Sequence, residues 1–396
     1  MGERKLTICL LSGTWDPTIN GVITSVKTFT AGLRDLGANV YTVVPSTKAI
    51  IEDPTIIQLP AVPLPASRGD YYLLLVTANQ VAAQLRAIEQ RAGVRFDILH
   101  AQHLFQVSHL TRLVAARLGV PVIATFHTLI EEYAHYVPLL PQVWARQLLK
   151  NHGRVALNQM NHVITPSPSI RSLLIRQGVT VPMTAIPTGI QLLDYRQIAA
   201  DSDLKKLGID PKRRLILFVG RLAKEKNLDL LLRAYQKIRQ VSVGAERPQL
   251  VLIGGGPEER AIRQYRSTHQ LNDDLILTGM LPPASIKPIF GRAYVFVHPS
   301  NTDTQAITIM EAMAAGVPAI ALNKFGPGDY IADRQTGLLI DNTPTSLVHA
   351  LSEILGNKRL RDTLGTNAHQ KANEFSVHAT SQKLLAVYQE TIKTAF

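Results

Sequence analysis

Two acids and a helix start carry the first chemical signal. Residues 293–297 form an apolar run of strand length, and 317–321 form another. Between them the spacing of Ile307, Met310, Glu311 and Ala314 predicts a helix over 304–315, stopped by Gly316 with Pro318 behind it. Asp303 then sits in the loop at the helix N-terminus, and Glu311 inside the helix. Backbone N–H groups at Gln305, Ala306 and Ile307 have no partner within such a helix and make a ready anion site. Read alone, Asp303 also serves as an ordinary N-cap and Glu311 as a solvated helix residue.

Other stretches offer chemistry of the same kind. Strand 215–219 leads into Gly220, Arg221 and Leu222, with Lys226 a few residues on. Strand 250–253 is followed by Gly254, Gly255, Gly256 and Pro257, a glycine-rich turn opening a helix. Near the start, strand 5–11, loop 12–21, helix 22–36 and strand 40–44 form a βαβ opening. Gly13 and Gly21 lack the G-x-G-x-x-G spacing, which disfavours a nicotinamide enzyme. His100, Gln102, His103 and His109 cluster after strand 96–100, itself preceded by a helix over 73–92. No Cys or carboxylate accompanies these histidines and their spacing follows no familiar ligand pattern, so no metal is expected. Strand 120–125 runs into Phe126 and His127. A His at the carboxyl end of a parallel strand faces the crevice where α/β proteins bind ligands, although a lone structural His is the plainer reading.

The elements that must position these residues alternate strand and helix, which implies parallel sheets. A length of 396 residues suggests two domains, and 46% hydrophobic content supplies their cores. No apolar run approaches membrane-spanning length and no leader pattern opens the chain. The single cysteine, Cys9, lies in the first strand, so a reducing cytoplasmic setting is expected. The net charge of +12 calls for an anionic partner, yet nucleic-acid motifs are missing and aromatics make up only 6%. Residues 133–193 contain no Asp or Glu. Within them Arg146, Lys150 and Arg154 share one helix face, with Trp144, Leu148, Leu149 and Val155 beside it. A basic, Trp-bearing amphipathic helix suits an anionic bilayer surface; the alternative is a solvated basic face whose apolar side packs on its own domain.

Taken in order, these stretches resemble the retaining family 4 glycosyltransferases. In that family the first acid lies by the donor sugar and the second hydrogen-bonds the nucleotide's ribose. Sugars and ribose offer hydroxyls, which carboxylates accept in pairs. The resemblance gives these roles to Asp303 and Glu311, with Gln305, Ala306 and Ile307 also at the donor. Asp303 is one methylene shorter than the usual Glu, and Ala306 stands where Gly is usual. Arg221 and Lys226 match the basic pair that neutralises the donor diphosphate as the glycosidic bond breaks. Gly256 and Pro257 match a segment near the nucleotide, and Gly21 matches a glycine that lets backbone approach the diphosphate. The run from Phe126 to Tyr136 resembles a segment of bacterial diacylglycerol glucosyltransferases. It places His127 by the reacting sugar, where the family implies transition-state stabilisation, and puts Asp16, His103, His109, Glu131 and Tyr133 on the acceptor side.

The resemblance implies an α/β chain of the GT-B class, two Rossmann-like, doubly wound domains facing across a cleft. Residues 1–190 would bind acceptor, 191–376 the nucleotide sugar, and 377–396 would form a helix crossing back to the first domain. The implied activity is metal-independent, retaining transfer of a hexose, by default glucose from UDP-glucose, to a membrane lipid such as diacylglycerol. No cofactor is implied, and the protein would be cytoplasmic or peripheral on the inner face of the cell membrane, with Trp144, Arg146, Lys150 and Arg154 at the surface. Two other readings stay open: a soluble or phosphorylated acceptor, and a non-catalytic nucleotide-sugar binder.

Overall fold

The computed structural model describes residues 4–18, 20–47, 51–64, 71–127, 129, 141–242, 247–324 and 326–395. The chain divides into two compact units, Met1–Gly189 with Val377–Phe396, and Ile190–Ser376.

The first unit runs β1 (Thr7–Leu11), α1 (Gly21–Asp35), β2 (Asn39–Pro45), β3 (Ile56–Leu59), β4 (Ala61–Pro63), β5 (Tyr72–Leu74), α2 (Ala78–Ala92), β6 (Ile98–Ala101), α3 (Gln106–Leu118), β7 (Val122–Thr125), α4 (Gln142–Leu157), β8 (His162–Thr165), α5 (Pro168–Arg176) and β9 (Met183–Ala185). Its parallel sheet has the order β3-β2-β1-β6-β7-β8-β9, with β4 and β5 in a separate antiparallel pair. β1, β6 and β7 are buried along their whole length, as parallel strands covered on both faces must be. The helix expected over 73–92 starts at Ala78, because Thr77 and Gln80 form a reciprocal capping box and Tyr72–Leu74 pairs as a strand.

The second unit begins with a short 3-10 turn (Leu192–Tyr195) and α6 (Asp201–Lys206). It continues through β10 (Leu215–Val219), α7 (Leu228–Val241), β11 (Gln249–Ile253), α8 (Glu259–Thr268), β12 (Leu275–Gly279), α9 (Pro283–Phe290), β13 (Ala293–His298), α10 (Ile307–Ala314), β14 (Ala319–Leu322), α11 (Pro327–Tyr330), β15 (Gly337–Ile340), α12 (Pro344–Gly356) and α13 (Lys358–Ala372). Its parallel sheet has the order β12-β11-β10-β13-β14-β15. α14 (Val377–Thr394) belongs to the first unit, where it lies against α1. The approach is close enough that a Cβ on Gly32 of α1 would sit on Ser381. Tyr388 of α14 reaches into that unit's core and bonds His100 Nδ1 at 2.7 Å.

Candidate active site

Each sheet reverses its winding once, between β1 and β6 in the first unit and between β10 and β13 in the second. At such a switch point the loops leaving the carboxyl ends of neighbouring strands part and leave a crevice for ligand.

In the second unit the loop after β10 carries Arg221 and Lys226, and the loop after β13 carries Asp303. The Lys226 ammonium joins the two, donating to Asp303 Oδ1 at 2.6 Å and Oδ2 at 2.7 Å. His298, the last residue of β13 and only 3% exposed at its side chain, donates from Nε2 to Asp303 Oδ2 at 2.7 Å. That bond fixes the tautomer, and Nδ1 faces the Thr308 hydroxyl at 3.4 Å. Burial alone would raise the Asp303 carboxyl; the Lys226 ammonium and His298 override it and hold the group well below the usual carboxylate range. Ser300 Oγ bonds the Glu225 carbonyl at 3.2 Å, tying the loops together again. Arg221 is exposed and, among the described residues, makes no side-chain hydrogen bond or ion pair.

Glycines let the backbone close up here. The Leu222 N–H donates to the Gly255 carbonyl and the Glu258 N–H to the Leu222 carbonyl, each at 2.9 Å. A Cβ at Gly256 would sit on the Leu222 carbonyl, and Gly256 also has a φ of +157°. Pro257 follows, exposed with Gly256 at the surface of the turn.

The helix expected from 304 begins at Ile307. Ala306 takes a left-handed conformation, φ 58° and ψ 61°, and breaks the helical run before it. Asp303 is therefore not the cap: Ala306 holds that position and caps without a side-chain bond. Glu311 lies within α10 and accepts from the Tyr195 hydroxyl at 2.5 Å. Burial pushes its carboxyl up from the ordinary value, opposed by the Tyr195 bond and by the Lys287 ammonium.

In the first unit the loops after β1 and β6 meet through the Gly13 N–H, which donates to His103 Nδ1 at 3.0 Å. His127, just past β7, shares a 3.0 Å bond with Gln102 through its Nε2, and Gln102 Oε1 is the acceptor. Burial pushes His127 down to about 4, and burial with the neighbouring His127 pushes His103 to about 3, so both rings are neutral at pH 7. Among the described residues, Gln102 Nε2 and His103 Nε2 are buried without a hydrogen-bond partner, two donors left for a ligand. Asn20 caps α1 by accepting from the Ile23 N–H at 3.0 Å. A Cβ on Gly21 would meet no protein atom within 4 Å, so the fold itself makes no demand for glycine there.

The remaining acceptor-side expectations divide. Asp16 is bound through both oxygens to Lys27 at 2.7 Å. His109 is not brought to the His103–His127 group; it is exposed on α3. Glu131 and Tyr133 lie outside the described residues. His100 is bonded to Tyr388 and to Thr125, a structural role, and among the described residues no group of three or more His, Cys, Asp or Glu is placed to hold a metal ion. On α4 only Ala145, Gly153 and Leu157 are buried. Val143 is 77% and Trp144 73% exposed, with Leu148 and Val155 exposed too, while Leu149 is partly buried. Arg146 is exposed, and Lys150 and Arg154 are partly so. Among the described residues no helix is long and apolar enough to cross a membrane.

Two residues of the site escaped sequence reasoning. His298 ends a parallel strand just as His127 follows one, a position that points toward the ligand crevice equally. Tyr195 carried no signal, being 116 residues from its partner.

Residues 19–192 match the family model described as Glycosyltransferase Family 4, and residues 200–371 match that described as Glycosyl transferases group 1. The chain is 28% identical over 395 residues to an alpha-monoglucosyldiacylglycerol synthase of Streptococcus pneumoniae, covering 94% of this chain and 86% of that protein. It is 26% identical over 398 residues to an alpha-monoglucosyldiacylglycerol synthase of Acholeplasma laidlawii, covering 98% of each. The solved structure of sucrose-phosphate synthase from Thermosynechococcus elongatus shares the fold, with a TM-score of 0.78 at 22% identity over 98% of this chain and 100% of that one.

Proposed function

Because the chain belongs to the GT-B glycosyltransferases whose two domains it carries in order, we propose that it transfers glucose from UDP-glucose to diacylglycerol at an anionic membrane surface, with retention at the anomeric carbon and without a metal. The observation that carries this reading is the near-full-length likeness to two proteins named for making monoglucosyldiacylglycerol. The geometry supports it from both units. Arg221 and Lys226, at the switch point of the second sheet, suit a diphosphate that gains charge as it leaves. Glu311 suits the ribose hydroxyls. Both oxygens of Asp303 are held by Lys226, and one also by His298, which fits charge balance and positioning better than attack on carbon. The leaving phosphate then takes the acceptor's proton. His127 stays neutral beside the reacting sugar, its Nε2–H held by Gln102, and Gln102 and His103 offer N–H groups to hydroxyls. The exposed Trp144, Arg146, Lys150 and Arg154 bring the first unit to the bilayer.

The test is nucleotide release from UDP-, GDP- and ADP-glucose, with and without diacylglycerol in anionic micelles, with and without EDTA. Lipid-dependent, EDTA-insensitive release from UDP-glucose, lost in Glu311→Ala and His127→Ala, with an α-linked product by NMR, is expected. Release without lipid would replace the lipid by a soluble acceptor. No release from folded protein would make the chain a binder of nucleotide sugars.

A further inference from the structure

Glu311 holds its hydroxyl-binding carboxylate inside the second unit, and something must aim it. The 3-10 turn Leu192–Tyr195 is built to do so. Its entry is pinned by Ile190, whose N–H donates to the Phe375 carbonyl at 2.9 Å. Asp194 pairs with Lys287 of α9. Tyr195 is 5% exposed, and its ring meets Phe290 of α9 edge-on at 5.8 Å. Held from both sides, the phenol donates to Glu311 Oε1 at 2.5 Å.

We infer that Tyr195 is a positioning residue for nucleotide binding: its hydroxyl occupies Oε1 of Glu311 and so orients the carboxylate, leaving Oε2 to accept from the ribose of a nucleoside diphosphate. The inference rests on the reading of Glu311 as the ribose acceptor. The bond also favours the ionised form of Glu311. Burial raises this carboxyl, and the Tyr195 hydroxyl is the first group that opposes the rise, with the Lys287 ammonium second. Several other titratable groups on elements packed against α10 are bonded elsewhere. Asp194 pairs with Lys287, His369 of α13 bonds the Ala314 carbonyl, and His298 bonds Asp303. On α11, Tyr330 is buried and Asp329 is only partly exposed. Removing the hydroxyl therefore moves Glu311 further up, and a protonated Glu311 is a poorer acceptor. The sign follows: nucleotide binding is lost as pH falls, and Tyr195→Phe loses it at higher pH than the natural chain.

The experiment is calorimetric titration of the full-length protein with UDP, and with GDP and ADP in parallel, between pH 5.5 and 8.5. The natural chain, Tyr195→Phe, Glu311→Gln and the double variant are compared. Phe keeps the ring contact with Phe290, and the melting temperature of each variant checks its fold. The phosphate's own titration is common to all and cancels in ratios. Loss of a hydrogen bond to a charged group predicts an affinity for Tyr195→Phe lowered about tenfold at the acid end, with the acid limb moved up by about 1 pH unit. In the Glu311→Gln background Tyr195→Phe should leave the pH profile unmoved. Parallel profiles for the natural chain and Tyr195→Phe would overturn the inference while leaving Glu311 in place. No nucleotide binding by the natural chain, or undiminished binding by Glu311→Gln, would overturn the reading of Glu311 itself and the inference with it.

Discussion

Replacing Lys226 by Met separates what this ammonium does for the fold from what we propose it does for a diphosphate. Met keeps the stem and removes the charge. Lys226 reaches both Asp303 oxygens, and the two side chains are 18% and 21% exposed. Stranding one member of a buried pair costs about 3–5 kcal/mol; Asp303 keeps His298 and some water, so about 2–3 kcal/mol is expected. The pH dependence has a definite sign. Burial pushes Asp303 up, Lys226 and His298 push it further down, and the folded value lies below the unfolded one of about 3.9. The pair's stabilisation is thus complete above the unfolded value and lost progressively as pH falls below it toward the lower folded value. Urea unfolding should show the full deficit of Lys226→Met at pH 7 and a smaller one at pH 3. Adding Asp303→Asn removes the stranded charge and should restore most of the stability. It should not restore glycosyl transfer, which is expected to stay about 10²–10³-fold down if the ammonium also meets the leaving diphosphate. A deficit equal at both pH values would refute the ion-pair account, and recovery of transfer in the double variant would refute the diphosphate role.

Three further outcomes are expected. Gly21→Ala meets no protein atom and removes unfolded-state freedom, so the melting point should hold or rise slightly, the gain being at most about 1 kcal/mol. Donor affinity should nevertheless fall about tenfold if backbone meets diphosphate there, and unchanged affinity would remove Gly21 from the donor site. Ala306→Gly relieves about 1–2 kcal/mol of left-handed strain but gives up a largely buried methyl worth about 0.8 kcal/mol and adds chain entropy, so unfolding should stay within about 1 kcal/mol of the natural chain. A larger loss would mean that methyl packing governs that turn. Arg146→Ala with Lys150→Ala removes about 1 kcal/mol of headgroup attraction each, near thirty-fold in all, from binding to vesicles rich in anionic lipid. Sedimentation with such vesicles measures it, and unchanged binding would sink the membrane role of α4.

The parallel sheets were legible because strands covered on both faces read as continuous apolar runs, as at 215–219 and 250–253. The loops that matter were legible for the same reason, since each follows such a run. Boundaries set by one backbone angle were not. Nothing in the sequence marks Ala306 as left-handed, and that angle moves the start of α10 from 304 to Ile307. Partnerships across long stretches of chain were hidden too. Lys226 and Asp303 are 77 residues apart, and only the order β10-β13 in the sheet brings their loops together.

His298 shows how a departure from a familiar pattern changes meaning once the fold is known. In the sequence Asp303 is an acid one methylene short, which reads as lost reach toward a sugar. In the structure the end of β13 sets His298 beneath that carboxylate, and the β10 loop sets Lys226 against it. A carboxylate with two charge-assisted or buried donors is held in one orientation, whereas a longer Glu at the same backbone position would have to displace one of them. The short acid and the strand-end histidine therefore form a single feature. They are five residues apart, across a strand end and a loop, where no sequence period links one side chain to another. Their joint test is a swap: Asp303→Glu should weaken the Lys226 and His298 contacts and lower stability, and His298→Ala in the same chain should then cost less than His298→Ala alone. Strictly additive losses would mean that the two positions act independently.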